Sequence, residues 1–501
     1  MEILITSIQD FRNRDHRVCD LISKGLGVLD ELDLNVIMDT LDTQWRKLRP
    51  ELAVVIETEY VDRVYRDCFY SYYSTKLECY ERNCIRLSLF EQSITDEDEF
   101  SFEYSKKIQD AYLGFIILRP LVNACIGRNV ISPKAEKNCE DLAIREVEVK
   151  SSCMGYKLKV CGFPHSSQDG EMMSCAETTI WTMMEYLGNK YPIYKPILPS
   201  VISELSESMS FERAVPSDGL SYKQISNILK HNDLGCIVYD MSNPRFKELF
   251  TCYVESGFPL AVCLLDDNDT EGHAIVCVGR KNISKERILK VPAVRAVEEV
   301  DIKLKFWNTA IDEFVFNDDN MPCYQIAKFD EPVKHYEDEE WKNVKITHFI
   351  VPLHRKIYID AGTAIDAANN LLTYVIKVPS GSVVRTFLTS SRSYKDYVAK
   401  NPDFSQDEKM RLLTMDMAKF IWITEYADVD SFCAEKANGI ILIDATGHLD
   451  GKDISSIIFY QKGTSAIIYD RKEKKHYEYK ALMATRFKSF KSNLRQEEKL
   501  S

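Results

Sequence analysis

The stretch SQDGEMMSCA, residues 167–176, leads directly into a helical pattern and decides how the centre of the chain folds. Ser174 is a suitable N-cap, so we expect Cys175 in the first turn of a helix. Free backbone N–H groups and the positive end of the helix dipole favour a thiolate there. Gln168, seven residues earlier, is a candidate side-chain donor to an oxyanion. The predicted helix has one regular face, formed by Ala176, Thr179, Ile180, Met183, Met184 and Leu187.

A nucleophilic thiolate needs a base, and His273 is the next candidate along the chain. It opens an apolar strand in the segment EGHAIVCVG, residues 271–279, after another predicted strand at Pro259–Leu265. An imidazole at a strand mouth can be held through one nitrogen and act through the other. Taken singly, a cysteine or a histidine in such a place is more often structural, so the prediction depends on the ordered combination.

The residue that orients His273 is expected at the end of a later strand. The segment EFVFNDDN, residues 313–320, ends in amide and carboxylate side chains that suit this role. We favour Asp318, and Asn317 and Asp319 stay open as alternatives.

These motifs, in this order, resemble the papain-like cysteine peptidase superfamily over roughly residues 161–330. The resemblance is closest in style to bacterial peptidase domains that process double-glycine leader peptides. It implies an α+β fold with a papain-like core, a Cys175, His273 and Asp318 triad, Gln168 at the oxyanion hole and a bacterial source. The sequence departs from papain on both sides of the thiol, because Met173 and Ala176 stand where papain has glycine and tryptophan.

The length of 501 residues predicts two to three domains. We place an N-terminal helical unit with a β-hairpin at 1–160, the papain-like unit at 161–350 and an α+β unit at 351–501. Alternating patterns at Arg145–Lys150 and Tyr156–Val160 predict the hairpin. The apolar run at Tyr112–Leu118 predicts a buried strand. A spacing of three to four residues from Val54 to Leu77 predicts one long amphipathic helix.

Composition narrows the classes of partner and cofactor. The net charge of −13 has the wrong sign for a broad nucleic-acid surface. The chain has neither a long apolar run nor a signal-peptide pattern, which predicts no membrane partner and a cytoplasmic location. The fifteen cysteines are expected to be reduced, and without CxxC pairs or closely spaced histidines we expect no metal and no cofactor.

The sequence therefore favours a cysteine hydrolase, a peptidase or amidase that forms a thioester on Cys175 with His273 as general base, acting on a peptide or protein. One alternative is an acyltransferase or transglutaminase-like enzyme on the same triad. Another is a non-catalytic interaction protein on a papain-like scaffold. The polar segment Ser200–Gly219 is predicted to be a loop that gates access to Cys175.

Overall fold

A computed structural model provides the structure of the chain and describes its residues in the following ranges: 2–28, 30–92, 94, 100, 105–210, 215–217, 219–266, 272–336, 341, 343–447, 456–462, 465–470, 472–480, 486–490 and 493–496. The protein is mixed α+β, with several sheets.

The helices and strands follow one another along the chain in three stretches. The first holds β1 (Ile3–Ser7), α1 (Ile8–Arg12), α2 (His16–Leu26), α3 (Glu31–Lys47), β2 (Ala53–Tyr60), α4 (Arg63–Ser71), β3 (Cys84–Phe90), α5 (Ser105–Ala111), β4 (Tyr112–Leu118), β5 (Ile126–Ile131), β6 (Leu142–Ile144), β7 (Val147–Cys153) and β8 (Tyr156–His165). The second holds α6 (Cys175–Lys190), α7 (Pro199–Met209), α8 (Tyr222–His231), β9 (Leu234–Asp240), α9 (Phe246–Glu255), β10 (Leu260–Leu265), β11 (Gly272–Lys281), α10 (Lys285–Lys290), β12 (Val294–Arg295), β13 (Lys303–Phe306), β14 (Glu313–Asn317), β15 (Gln325–Lys328) and β16 (Lys345–His354). The third holds α11 (Ala361–Asn370), β17 (Val383–Ser390), α12 (Ser391–Lys400), α13 (Gln406–Thr414), β18 (Phe420–Ala427), α14 (Val429–Cys433), β19 (Lys436–Ala437), β20 (Gly439–Asp444), β21 (Ile457–Lys462), β22 (Ser465–Asp470), β23 (Lys475–Lys480), β24 (Phe487–Lys488) and β25 (Arg495–Gln496).

The N-terminal sheet has the strand order β1-β2-β3-β4-β5-β8-β7. The predicted strand at Tyr112–Leu118 is confirmed as β4, and the predicted hairpin is confirmed as β7 and β8. The hairpin turn uses Met154 and Gly155, both with positive φ, a conformation that glycine adopts without strain. Strand β8 continues to His165, so the predicted domain boundary between residues 160 and 161 falls inside a strand.

The predicted long helix from Val54 to Leu77 is wrong. Residues Ala53–Tyr60 form β2, which is buried on both faces over its first six residues. The residues spaced three to four apart, from Val61 to Tyr73, lie after this strand and mostly in α4, so the prediction extended a real helix over a strand of consecutive apolar residues. The helix itself is the shorter α4, which begins where the Asp62 carboxylate accepts hydrogen bonds from the backbone N–H groups of Val64 and Tyr65.

The central sheet has the order β15-β14-β11-β10-β16-β9, with the short β6 also paired to β11. Helix α6 lies against one face, where the Thr179 hydroxyl donates to the Ala274 carbonyl at 3.1 Å. Alternate residues of β11 divide between two apolar cores. Ala274 and Val276 belong to the core shared with α6 and the N-terminal sheet, and Ile275 and Cys277 to the core on the opposite side.

The C-terminal sheet has the order β12-β13-β17-β18-β20-β21-β22-β23, so it takes its first two strands from residues 294–306. Conversely, the predicted C-terminal unit contributes β25, which pairs with β6 beside the central sheet. A buried ion network also joins the two sheets. The Glu255 carboxylate accepts from Arg280 at 2.8 Å and from Arg385 at 3.0 Å. The predicted central and C-terminal units therefore exchange strands and share one core.

Candidate active site

The nucleophile candidate stands at the start of a helix, as the sequence predicts. Helix α6 begins at Cys175, and Ser174 is the N-cap residue by position. The Ser174 side chain does not cap the helix, because its hydroxyl donates instead to the Glu177 carboxylate. The Ser174 side chain therefore does not bond the first-turn backbone N–H groups of α6, and Cys175, the first residue of the helix, is partly exposed.

The loop before the thiol is fixed by one carboxylate and one guanidinium. Asp169 Oδ1 accepts the backbone N–H groups of three residues ahead of Ser174, at 3.0, 2.9 and 2.8 Å: Glu171, Met172 and Met173. Arg119, from the N-terminal sheet, donates to the carbonyls of Ser167 and Gln168 at 3.1 and 3.2 Å. The N-terminal unit therefore holds the backbone on which Gln168 stands.

The base candidate and its partner are brought together by two antiparallel strands. His273 lies near the start of β11, and Val276 of that strand pairs with Asn317 at the end of β14. The next residue after Asn317 is Asp318, and its Oδ1 lies 2.9 Å from Nε2 of His273. The Cys175 thiol lies close enough to the same imidazole to raise its pKa. Since Asp318 occupies Nε2, Nδ1 is the ring nitrogen left for the thiol.

Asp318, rather than its neighbours, is the carboxylate bonded to His273. Asn317 directs its Oδ1 to the backbone N–H of Tyr324 at 2.9 Å, and the nearer oxygen of Asp319 is 3.6 Å from Nε2. Among the three residues that the sequence left open, Asp318 therefore has the shortest contact with the imidazole.

The Asp318 carboxylate is fully buried and accepts further hydrogen bonds. The Asn320 N–H and the Tyr336 hydroxyl reach Oδ1, each at 3.1 Å, and His335 Nε2 lies 3.1 Å from Oδ2. The Asp318 main-chain carbonyl lies 3.0 Å from Nε2 of His165, the last residue of β8. This set of partners restricts the carboxylate to one orientation, which in turn fixes the imidazole.

His273 and Asp318 shift each other's pKa in opposite directions. Burial by itself lowers the pKa of His273, but the Asp318 carboxylate, the contact with Cys175 and the charge of Asp319 together raise that pKa well above its usual value. Burial raises the pKa of Asp318, but His273 and then His335 hold it well below its ordinary range. These directions favour the imidazolium of His273 and the carboxylate of Asp318 over their neutral forms.

Gln168 reaches the same cluster from the other side. Its side-chain Nε2 donates to Oδ1 of Asn320 at 2.6 Å, and Asn320 donates its own N–H to Asp318. The structure thus places Gln168, His273 and Asp318 in one connected network. Its role as an oxyanion donor stays a prediction, since the amide is bonded to Asn320 here.

Three aromatic or imidazole side chains at this site were not predicted from the sequence. They come from the segment that follows β15. Trp341 lies edge-on to His273 with ring centroids 5.4 Å apart, and it stacks on Tyr336 at 4.8 Å. His335 contacts Tyr336 and the far oxygen of Asp318. In the sequence, the pair His335-Tyr336 in an acidic segment could have suggested a site. Its position, seventeen residues after Asp318, follows no spacing rule that connects the two.

A further carboxyl group lies beside the imidazole without a hydrogen-bond donor. Asp319 is 5% exposed, and neither of its carboxylate oxygens accepts a hydrogen bond from another residue. Burial, reinforced by the charges of Asp318 and Glu177 and opposed by His273, raises the pKa of Asp319 to about 7.

Ligand atoms of His273, Asp318 and Asp319 lie within 4.8 Å of one another, close enough to hold a metal ion. The direct contact between His273 Nε2 and Asp318 already uses two of those atoms, so a metal would have to displace it. The expectation of no metal stays a prediction.

The predicted gating loop is partly wrong, because Pro199–Met209 forms helix α7. The helix begins with the N–H and hydroxyl of Ser200 bonded to the Asp67 carboxylate at 2.7 and 2.8 Å. Farther on, Ser217 donates to Oε1 of Glu177 at 2.6 Å. Residues 211–214 and 218 of the predicted loop lie outside the described residues. The segment is therefore anchored to α4 at one end and to the first turn of α6 near the other.

All fifteen cysteines are free thiols. Within the described ranges, the helices are too short or too polar to cross a membrane. A comparison of the sequence with protein-family models and with curated proteins finds no match to either.

Proposed function

We propose that this protein is a cysteine hydrolase that cleaves a peptide or amide bond through a thioester on Cys175. The observation that carries the proposal is the 2.9 Å contact between Nε2 of His273 and the buried Asp318, beside a Cys175 thiol that helps to raise the pKa of the same imidazole. A nucleophile, a base and an orienting carboxylate in this order are what nucleophilic catalysis of acyl transfer requires.

In the proposed reaction, the Cys175 thiolate attacks the substrate carbonyl carbon, and the carbonyl oxygen becomes an oxyanion. First-turn N–H groups of α6 are suited to donate hydrogen bonds to that oxyanion. The carbon–nitrogen bond then breaks, and the His273 imidazolium gives its proton to the leaving amine. Water, deprotonated by His273, attacks the thioester carbon. The carbon–sulfur bond then breaks, which releases the acid and restores the Cys175 thiolate and the His273 imidazolium.

The arrangement also supports the papain-like interpretation of the core. A cysteine at the start of α6, a histidine near the start of β11 and an acid just after β14 follow the order of that superfamily. The likeness concerns the residue order and the packing of α6 on an antiparallel sheet. Membership of that superfamily, and the bacterial source it implies, remain part of the proposal.

A thiol that acts on the pKa of an imidazole held by Asp318 favours catalysis over a purely binding role. Interception of the thioester by an amine, which would make the protein an acyltransferase, uses the same residues and stays an alternative. A peptide or protein substrate, a cytoplasmic location and the absence of a nucleic-acid partner are further parts of the proposal.

Selective alkylation of Cys175 tests the proposed function. We expect iodoacetamide at pH 6 to modify Cys175 about a hundredfold faster than the exposed Cys79, because only Cys175 pairs with an imidazolium. Modification is quantified at each cysteine by peptide mass spectrometry. His273→Ala should abolish the difference, and His231→Ala, a change at the end of α8, should preserve it. Equal rates at Cys175 and Cys79 in the unmodified chain would contradict the proposal.

A further inference from the structure

The first turn of α6 and the loop after β14 place two carboxyl groups around the reacting pair. Glu177 follows Cys175 by two residues, and Asp319 lies 3.6 Å from Nε2 of His273. The Glu177 carboxylate is close enough to Asp319 to affect its ionisation. Both residues are almost completely buried, at 3% and 5% exposure.

Their hydrogen-bond partners do not neutralise these groups. Among the described residues, Glu177 accepts from two hydroxyls, those of Ser174 and Ser217, and from no other side chain. Asp319 accepts at neither oxygen from any other residue that the structure describes. Throughout the described part of the chain, no lysine or arginine forms an ion pair with Glu177 or Asp319. The group beside Asp319 that can carry positive charge is the imidazole of His273, which already contacts Asp318.

A buried carboxylate without a donor is costly unless a cation or a proton reaches it. His273 cannot fully satisfy Asp319, because its Nε2 is already directed at Asp318. Two other buried acids have cations of their own, Glu255 with two arginines and Asp62 with Arg128 at 3.1 Å. At this site, by contrast, Asp319 shares the one imidazole of His273 with Asp318, which holds it more closely.

We infer that Asp319 and Glu177 form a recognition site for a cationic group, an ammonium or guanidinium, carried by the substrate next to the bond that Cys175 attacks. The inference rests on the proposed function and names the substrate class that the site selects. A bound ammonium would donate to the free oxygens of Asp319 and balance the excess of acid at the site. Neutral substrates would leave that carboxyl unpaired, and anionic ones would meet repulsion.

Methanethiosulfonates of different charge test the inference at the thiol itself. The Cys175 thiolate attacks the sulfenyl sulfur, a disulfide forms, and the bond to the sulfonyl sulfur breaks with release of methanesulfinate. We compare the 2-aminoethyl, 2-hydroxyethyl and 2-sulfonatoethyl reagents by peptide mass spectrometry at Cys175. Each rate is divided by the rate for N-acetylcysteine amide, which removes the intrinsic reactivity of the reagent.

We expect the normalised rate for the cationic reagent to exceed that for the neutral reagent by about tenfold, and the anionic reagent to be the slowest. Asp319→Asn and Glu177→Gln should each reduce the ratio of cationic to neutral rates at least threefold. The ratio is the readout, so a change in overall reactivity does not affect it. Asp330→Asn is the matched control, because it removes one charge from an exposed pair with Lys247 and should leave the ratio unchanged.

A ratio near one in the unmodified chain, or a ratio that Asp319→Asn and Glu177→Gln leave unchanged, would overturn the inference. Either result is distinguishable from failure of the proposed function, because methanethiosulfonates report local charge around the thiol whether or not Cys175 is activated by His273. If Cys175 shows no selective alkylation by iodoacetamide but keeps the cationic preference, the proposed hydrolase fails and the cation site stands.

Discussion

The Oδ1 atom of Asp318 lies 2.9 Å from Nε2 of His273, although forty-five positions separate the two residues along the chain. The pairing of Val276 with Asn317 brings the two residues together, because it places the first half of β11 beside the end of β14. A shift of one residue in this register would place Asn317 or Asp319 closer to the imidazole. The strand register therefore decides which residue contacts the imidazole of the proposed base.

In Asp318→Asn, activity should be lost at a lower pH on the alkaline side of the pH profile. The carboxylate helps to raise the pKa of His273 far above normal, so the imidazolium persists as pH rises. Without that charge the imidazolium loses its proton at a lower pH, and we expect the alkaline limb of kcat/KM to move down by at least about one pH unit. A pH profile of amide hydrolysis or of Cys175 alkylation measures the shift. An unmoved alkaline limb would show that Asp318 does not control His273.

His335→Phe should weaken the site through Asp318 without contacting the thiol. The change removes the 3.1 Å contact to Oδ2 and keeps a ring of similar size against Tyr336. We expect kcat to fall about tenfold to a hundredfold with little change in KM. His335→Gln can restore a donor and should recover part of the loss. Equal activity in both variants and the unmodified chain would mean that Asp318 is adequately held by Asn320 and Tyr336.

Gln168→Ala tests the predicted oxyanion donor. The side chain must leave Asn320 to reach an oxyanion, so its contribution would appear only in the transition state. We expect kcat to fall about a hundredfold to a thousandfold with KM nearly unchanged. Asn320→Ala, which releases the Gln168 amide, should cost much less. A loss below about threefold for Gln168→Ala would restrict Gln168 to a structural role.

Asp319→Asn should stabilise the protein at alkaline pH. Folding raises the pKa of Asp319 from an ordinary value of 3.8 to about 7, so the native state binds more protons than the unfolded state between these values. The free energy of unfolding therefore falls as pH rises from about 4 to about 7, by up to ~4 kcal/mol for this group. Urea unfolding at pH 5 and pH 8 should show a smaller decrease in Asp319→Asn than in the unmodified chain. An identical decrease would contradict the assigned environment of Asp319.

Glu255→Ala should strongly destabilise the contact between the central and C-terminal sheets. The change leaves Arg280 and Arg385 buried without their carboxylate partner, although Arg385 keeps a 3.4 Å contact to Glu425. We expect a loss of about 3–5 kcal/mol in the free energy of unfolding. Asp396→Ala breaks an exposed pair with Lys400 and should cost less than about 1 kcal/mol. Similar losses in the two variants would argue against a tightly packed network.

By itself, the sequence determined the local features of the site. The pattern around Cys175 fixed the start of α6, and alternating residues fixed the β7–β8 hairpin, because helix starts and strand pairs depend on neighbouring residues. Where burial on both faces replaced a regular pattern, as in β2, the sequence indicated the wrong element.

Only the tertiary structure decided how distant groups meet. Strand register selected Asp318 from three adjacent candidates, and the segment after β15 supplied His335, Tyr336 and Trp341, for which no spacing rule exists. The absence of a hydrogen-bond donor at Asp319 is likewise a property of the packed interior. Such relationships arise from long-range packing, since the free energy of a buried charge depends on every element that surrounds it.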